Sequence, residues 1–300
     1  MANLQENRRA ALLMMGSMAA FTVNDALMKS LSDDLALFQT IFLRGILVSI
    51  AIAILAWRMG AFTTPVAKTD WWPIFLRTVG EAGAAFFFIS ALFNMPLANA
   101  TAILQALPLT VTLAAAFFLH EPVGWRRMIA IGIGFLGVII IVRPGLDGFN
   151  IYSVYCLAAV VCVTLRDIAT RQLSKETHSM TVTLVSSVFV MVATGCASLG
   201  EIWGSVTPGV AVALFGTAVS IFFAYVFSVM VMRTGDVAFV APFRYTALLF
   251  ALVLGYVMFG EWPDLFTLFG ATLVVTTGFY AFFRERQLTL KSDNSFQSDK

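Results

Sequence analysis

Val237–Gly260 reads VAFVAPFRYTALLFALVLGYVMFG, an apolar run between Asp236 and Glu261. About 20 such residues cross the hydrocarbon of a bilayer as a helix, so the run is long enough to span. Arg244 sits in its first third, between Phe243 and Tyr245 and just after Pro242. An arginine turned to lipid near mid-span costs about 2.5–3.5 kcal/mol on insertion scales. Arg244 is therefore expected to face protein, water or a ligand, and the rest of the chain to build the space it faces.

That chain has 300 residues, 59% of them hydrophobic and 12% charged. Average globular proteins carry about 25% charged residues. Apolar runs of roughly 20 residues recur from end to end, which marks an all-α polytopic membrane protein. The ten-residue alternating segments of a β-barrel are absent. A net charge of +2 gives no reason to expect nucleic acid as a partner. Cys156, Cys162 and Cys196 fall inside apolar runs and read as core-filling thiols. Arg8-Arg9 and the apolar run after them superficially resemble a secretory signal. The run passes into Asn24-Asp25 and the next span follows directly, so it is read as an uncleaved first membrane helix.

Ten spans are expected, at roughly 10–30, 36–57, 71–93, 98–119, 124–143, 151–171, 179–200, 209–231, 237–260 and 264–283, with short connections marked by prolines such as Pro65, Pro122 and Pro208. Arg8, Arg9, Arg58, Lys68, Arg126, Arg127, Arg171, Lys175, Arg233, Arg284, Arg286, Lys291 and Lys300 then fall on one side; Lys29 and Arg143 fall on the other. The excess marks the cytoplasmic side. Both termini are expected there, and residues 285–300 are expected to be a disordered cytoplasmic tail.

An internal repeat is visible. Asn24-Asp25 through Lys29 aligns with Arg166-Asp167 through Arg171, 142 positions later, and Glu121 aligns with Glu261, 140 positions later. Two halves of five spans follow, 1–145 and 150–284. An odd number of spans per half makes the second enter from the opposite side. Inverted repeats of this kind build secondary carriers, with the substrate site near midplane where the halves meet.

Asn24-Asp25-Ala26, Phe42-Leu43-Arg44, Phe75-Leu76-Arg77, Pro242-Phe243-Arg244-Tyr245 and Gly260-Glu261-Trp262-Pro263-Asp264 resemble the drug/metabolite transporter superfamily with two EamA-type repeats. The branch they are most similar to holds bacterial riboflavin and S-adenosylmethionine uptake carriers. The resemblance covers about 10–284 and implies transport of a vitamin- or nucleoside-like metabolite, in a bacterial-type inner membrane. Amino-acid and metabolite exporters share the fold. Riboflavin, with a fused ring and a polar ribityl chain, is the first expectation. S-adenosylmethionine, being cationic, would need Glu81 or an aspartate free to accept it.

Ionisable residues inside spans are functional candidates by default. Substrate-binding candidates are Arg244, with Phe243 and Tyr245 as stacking faces, together with Glu81, Arg44 and Gln105. Glu81 lies within Gly80-Glu81-Ala82-Gly83, a small-residue stretch that permits close helix approach. Gating or coupling candidates are Asp25, Asp167, Arg166 and Arg77. For Asp25 and Asp167 the simplest reading is pairing with Lys29 and Arg171, four residues on. Glu121 and Glu261, at span ends, read as loop caps or gate contacts. Phe86-Phe87-Phe88 adds to the aromatic content near Glu81 and favours a planar cargo.

An intramembrane enzyme is the rival class. His120 and His178 both lie in loops, and no HExxH, GxSxG or Walker-type glycine loop occurs. No catalytic residue, metal site or cofactor is expected. A channel or a membrane scaffold is a further alternative.

Overall fold

The computed structural model describes residues 4–298 except 63–65, 122, 146–148, 175 and 235–236, with side chains for these other than 4, 179, 229, 232–238 and 284–298. Pro65, Pro122, Lys175, Asp236 and Lys300, used above, lie outside the described residues. Among the described residues every regular element is helical, and ten helical stretches are long and apolar enough to cross a membrane.

In chain order the helices are α1 (Leu4–Lys29), α2 (Leu37–Arg58), α3 (Trp71–Asn94), α4 (Leu97–Leu104), α5 (Leu107–Phe118), α6 (Trp125–Val142), α7 (Ile151–Arg171), α8 (Ser179–Ser198), α9 (Pro208–Thr234), α10 (Val237–Val240), α11 (Thr246–Phe259) and α12 (Leu265–Ser298). Ten crossings return the chain to the face it left. We call this the terminal face and its opposite the far face. Helix α12 runs on to Ser298, through the stretch expected as a disordered tail. Beyond Gly278 the sequence holds no glycine or proline to stop it, and Arg, Glu, Gln, Leu and Lys are good helix formers.

Spans 4 and 9 are each broken, which the hydropathy pattern does not reveal. Span 4 divides into α4 and α5 at Gln105-Ala106, and span 9 divides through a 3₁₀ turn at Ala241–Tyr245. Pro108 and Pro242 stand at the two breaks. A proline offers no N–H to the turn before it, and its ring crowds the carbonyl four residues back. Discontinuous helices at matching positions of two halves are a recurrent feature of carriers.

The helix pairing follows the repeat. Exchanging the halves sends α1 to α7, α2 to α8, α3 to α9 and α6 to α12. The intimate pairs are α3 with α7, α1 with α9, α2 with α8, and α6 with α12. The first two are images of each other; the last two map onto themselves. In the α6–α12 pair the approach is set by Gly137 and Gly270, since a Cβ at 270 would meet the Gly137 carbonyl oxygen at 2.5 Å. With lipid outside, this small-residue packing takes over the role burial plays in water. Large apolar side chains such as Leu12, Trp57, Val161, Val212 and Val257 cover the outer surface.

Candidate functional site

Four helices, α2, α3, α8 and α9, leave a cavity of about 80 Å³ between mid-span and the terminal face. Its polar lining is Arg44, Arg77, Glu81, Thr183, Ser187 and Tyr225; Ile41, Val48, Ile52, Val190 and Ile221 complete the wall.

Glu81 is placed by the glycines beside it. A Cβ at position 80 would meet the Cys162 carbonyl oxygen at 2.7 Å, and one at 83 the Cys162 sulfur at 2.7 Å, so the absence of side chains there is what lets α3 and α7 approach so closely. The contact brings Arg166 to Glu81, with Nη1 3.4 Å from Oε2. The same guanidinium binds its neighbour Asp167 more closely, at 2.9 Å. Arg77 donates to Thr170 Oγ1 at 2.9 Å and to Thr183 Oγ1 at 3.5 Å. Tyr225 enters from α9, within electrostatic reach of Glu81, Arg166, Arg44 and Arg77.

Three charges in this cluster, Arg44, Arg77 and Asp25, have no close counter-ion among the described residues. Arg44 feels Tyr225, Asp25 and Glu81 only at a distance, and its buried Nε has no hydrogen-bond partner. Asp25 accepts a hydrogen bond from Asn24 Nδ2 at 2.9 Å. Neither has an ion-pair partner within 4 Å among the described residues. Unpaired charges inside a membrane protein are costly to keep.

The sequence candidates thus divide. Arg44, Arg77, Glu81, Arg166, Asp167 and Asp25 form one electrostatic cluster. Arg244 stands on the 3₁₀ turn at its edge, exposed, and interacts with Asp167 and Arg166 through space. Its neighbours do not share that space. Phe243 packs into an apolar cluster with Val240 and Phe239, the two rings 6.0 Å apart. Tyr245 is buried against Gly278 and stacks on Phe279 at 5.6 Å. Both side chains therefore line a separate groove of about 460 Å³ against α12, almost wholly apolar and edged by the exposed Leu249. That lining suits a hydrocarbon chain rather than a polar cargo. Gln105 is buried at the break in span 4. The phenylalanines beside Glu81 are engaged in packing: Phe86 stacks on Phe38 at 5.6 Å, and Phe87 meets Tyr155 edge-on at 5.5 Å.

The expected pairing of Asp25 with Lys29 and of Asp167 with Arg171 is not what the structure holds. Lys29 binds Glu261 at 2.8 Å and donates to the Met95 carbonyl at 2.5 Å. The other Glu261 oxygen accepts the Leu97 N–H at 3.0 Å, capping α4. Arg171 binds Glu121 at 3.2 Å. These bridges are images of each other under the repeat, one on each face. Their burial differs: the Lys29 and Glu261 side chains are 10% and 23% exposed, those of Arg171 and Glu121 48% and 52%. The far face is further tied by Arg143 to Asp264 and by Asn150 Nδ2 to the Asn94 carbonyl at 3.1 Å.

A second symmetric pair of latches was not read from the sequence. Glu201 accepts the N–H groups of Phe38 and Gln39 at 3.2 and 3.1 Å on the far face. On the terminal face Asp70 accepts from Ser174, at 2.6 Å from its hydroxyl, and from Thr177. Tyr225 was also missed. It is the only tyrosine of its span, and that polar tip amid SIFFAYVF was the available signal.

Comparison with known proteins follows the same division of the chain. The EamA-like transporter family model matches twice, over residues 8–143 and 150–283. An S-adenosylmethionine uptake transporter of Rickettsia felis is 25% identical over 93% of this chain and 94% of that protein. A pseudopaline exporter of Pseudomonas aeruginosa is 26% identical over 85% of this chain and 89% of its own length. A riboflavin transporter of Rhizobium johnstonii is 26% identical over 70% and 69%.

Proposed function

This chain belongs to the EamA-like transporter family, and on that premise we propose that it is a secondary carrier taking up S-adenosylmethionine across a bacterial-type inner membrane, with both termini cytoplasmic. The observation that carries the choice of cargo is Asp25. A carboxyl group within a span, held by a neutral asparagine and with no cation at contact distance among the described residues, leaves an acidic site for a cationic ligand. S-adenosylmethionine brings a sulfonium and an ammonium against one carboxylate. A cargo of that charge supplies the counter-ion Asp25 lacks. The relative of that name also matches nearly the whole chain.

In this reading the five-helix halves rock about the cluster, and the two symmetric bridges, both closed here, open alternately. The buried Lys29–Glu261 bridge seals the far face, while the exposed Arg171–Glu121 bridge marks the terminal face as the looser one. A carrier binds its cargo in whichever state exposes the site, so each bridge must break once per cycle.

The test is uptake of labelled S-adenosylmethionine by proteoliposomes without ATP. Saturable uptake, lost in Asp25→Asn, supports the proposal. Normal uptake by a correctly inserted Asp25→Asn protein removes its basis. Riboflavin is the second reading, favoured by the riboflavin transporter that matches 70% of the chain. Labelled riboflavin in the same vesicles decides between them. The exporter among the relatives makes direction a separate measurement, made with vesicles of defined orientation.

A further inference from the structure

The central cavity is chemically odd for a mere void. Its wall carries an arginine with no ion pair among the described residues, a second arginine, a carboxylate, and the hydroxyls of Thr183, Ser187 and Tyr225. A void lined for packing would be apolar.

We infer that this cavity is a subsite for the α-amino-acid head group of the cargo, with Arg44 taking the carboxylate and Glu81 the ammonium. The inference rests on the reading of the chain as a carrier and names which end of the substrate enters the α2–α3–α8–α9 space. Arg44 is suited to the first role because its planar guanidinium presents paired donors that match a carboxylate. No acceptor among the described residues occupies it, and its Nε is already cut off from solvent. Arg77 is differently placed: it is committed to Thr170 and Thr183, so it adds field rather than a free fork. Glu81 is suited to the second role because its hold on Arg166 is stretched to 3.4 Å, while Arg166 keeps Asp167 at 2.9 Å. Glu81 can turn to an ammonium without stranding Arg166. Ser187, already bonded to Ser49 at 2.8 Å, closes the floor. The two ends of a zwitterion thereby meet opposite charges projecting from neighbouring helices.

Compounds lacking the head group lose these contacts entirely. Riboflavin has neither an amino nor a carboxylate group.

The experiment is ligand binding to the full chain in lipid nanodiscs, read by calorimetry and by displacement of labelled S-adenosylmethionine. The probes are S-adenosylhomocysteine, 5′-methylthioadenosine, L-methionine, L-methioninamide and N-acetyl-L-methionine. Charge-assisted hydrogen bonds in a desolvated site correspond to about 10- to 100-fold in affinity each. L-methionine is expected to bind at least about tenfold tighter than its amide or its N-acetyl derivative. Arg44→Gln should collapse the acid-to-amide ratio towards one, and Glu81→Gln the ratio of free to acetylated amine. Arg44→Lys, which keeps the charge and loses the fork, should lower the first ratio only in part. A purely structural Arg44 would weaken all probes alike and leave the ratios unmoved, which overturns the inference. So does binding of 5′-methylthioadenosine as tight as that of S-adenosylhomocysteine, or failure of every amino-acid-bearing probe to bind. If S-adenosylmethionine fails while L-methionine binds with the stated ratios, the proposed cargo is wrong and the subsite stands.

Discussion

Replacing Glu261 by glutamine removes one charge from the far-face closure and leaves its shape. The structure sets the size of the effect. Glu261 holds Lys29 at 2.8 Å and caps the Leu97 N–H at 3.0 Å, with the pair 10% and 23% exposed. Fully exposed pairs contribute about 0–1 kcal/mol, and breaking a buried one costs about 3–5. This partly buried pair, with a charge-assisted cap added, falls near 2–3 kcal/mol. At 1.4 kcal/mol per factor of ten, the substitution shifts the equilibrium towards the far-face-open state by about 30- to 150-fold. Glu121→Gln on the terminal face, where the pair is half exposed, shifts it at most about fivefold. Spin labels on cysteines replacing the exposed Asp33 and Trp262, in a chain free of its native cysteines, report far-face opening as a distance distribution. The expected result is a new long-distance population in Glu261→Gln, little change in Glu121→Gln, and recovery when Lys29→Glu is combined with Glu261→Lys. Equal responses from the two single variants, or none from Glu261→Gln, would refute the assignment of these bridges as unequal gates.

Three further outcomes follow from the geometry. Gly80→Leu should abolish transport and lower stability by at least about 1–3 kcal/mol, because even a Cβ there would meet the Cys162 carbonyl and force α3 from α7; scanning fluorimetry and uptake measure it, and a stable, active Gly80→Leu protein contradicts the packing described. Pro108→Ala should allow α4 and α5 to approach one continuous helix and slow turnover more than it weakens binding, which uptake kinetics beside calorimetry would separate. Asp264 lies in the far-face loop, where partial desolvation would raise its pKa but hydrogen bonds from Arg143 and Thr267 outweigh it and hold it below the usual carboxylate range. The stabilisation is then present above the unfolded carboxylate's value of about 3.9 and lost as pH falls through the lower folded value. Arg143→Gln should accordingly lower melting temperature at pH 7, and its effect should shrink as pH falls below the unfolded carboxylate's value.

The amino-acid sequence alone determined the class of this protein. Ten apolar runs, the spacing of Lys29 and Arg171, Glu121 and Glu261, and an odd number of spans per half follow from hydropathy and counting. Hydropathy is a property of each segment by itself, so it survives being read in one dimension. The tertiary structure decided which charges meet. Lys29 found Glu261 rather than Asp25, Arg166 bridged Glu81 and Asp167, and Arg44 was left without an ion pair among the described residues. Proximity along a helix had favoured the four-residue pairing, but a side chain can swing to a neighbouring helix when close packing brings that helix near. Phe243 and Tyr245 show the same limit from the other side. Adjacent to Arg244 in sequence, they point elsewhere, because residues one position apart in a helical turn do not face each other.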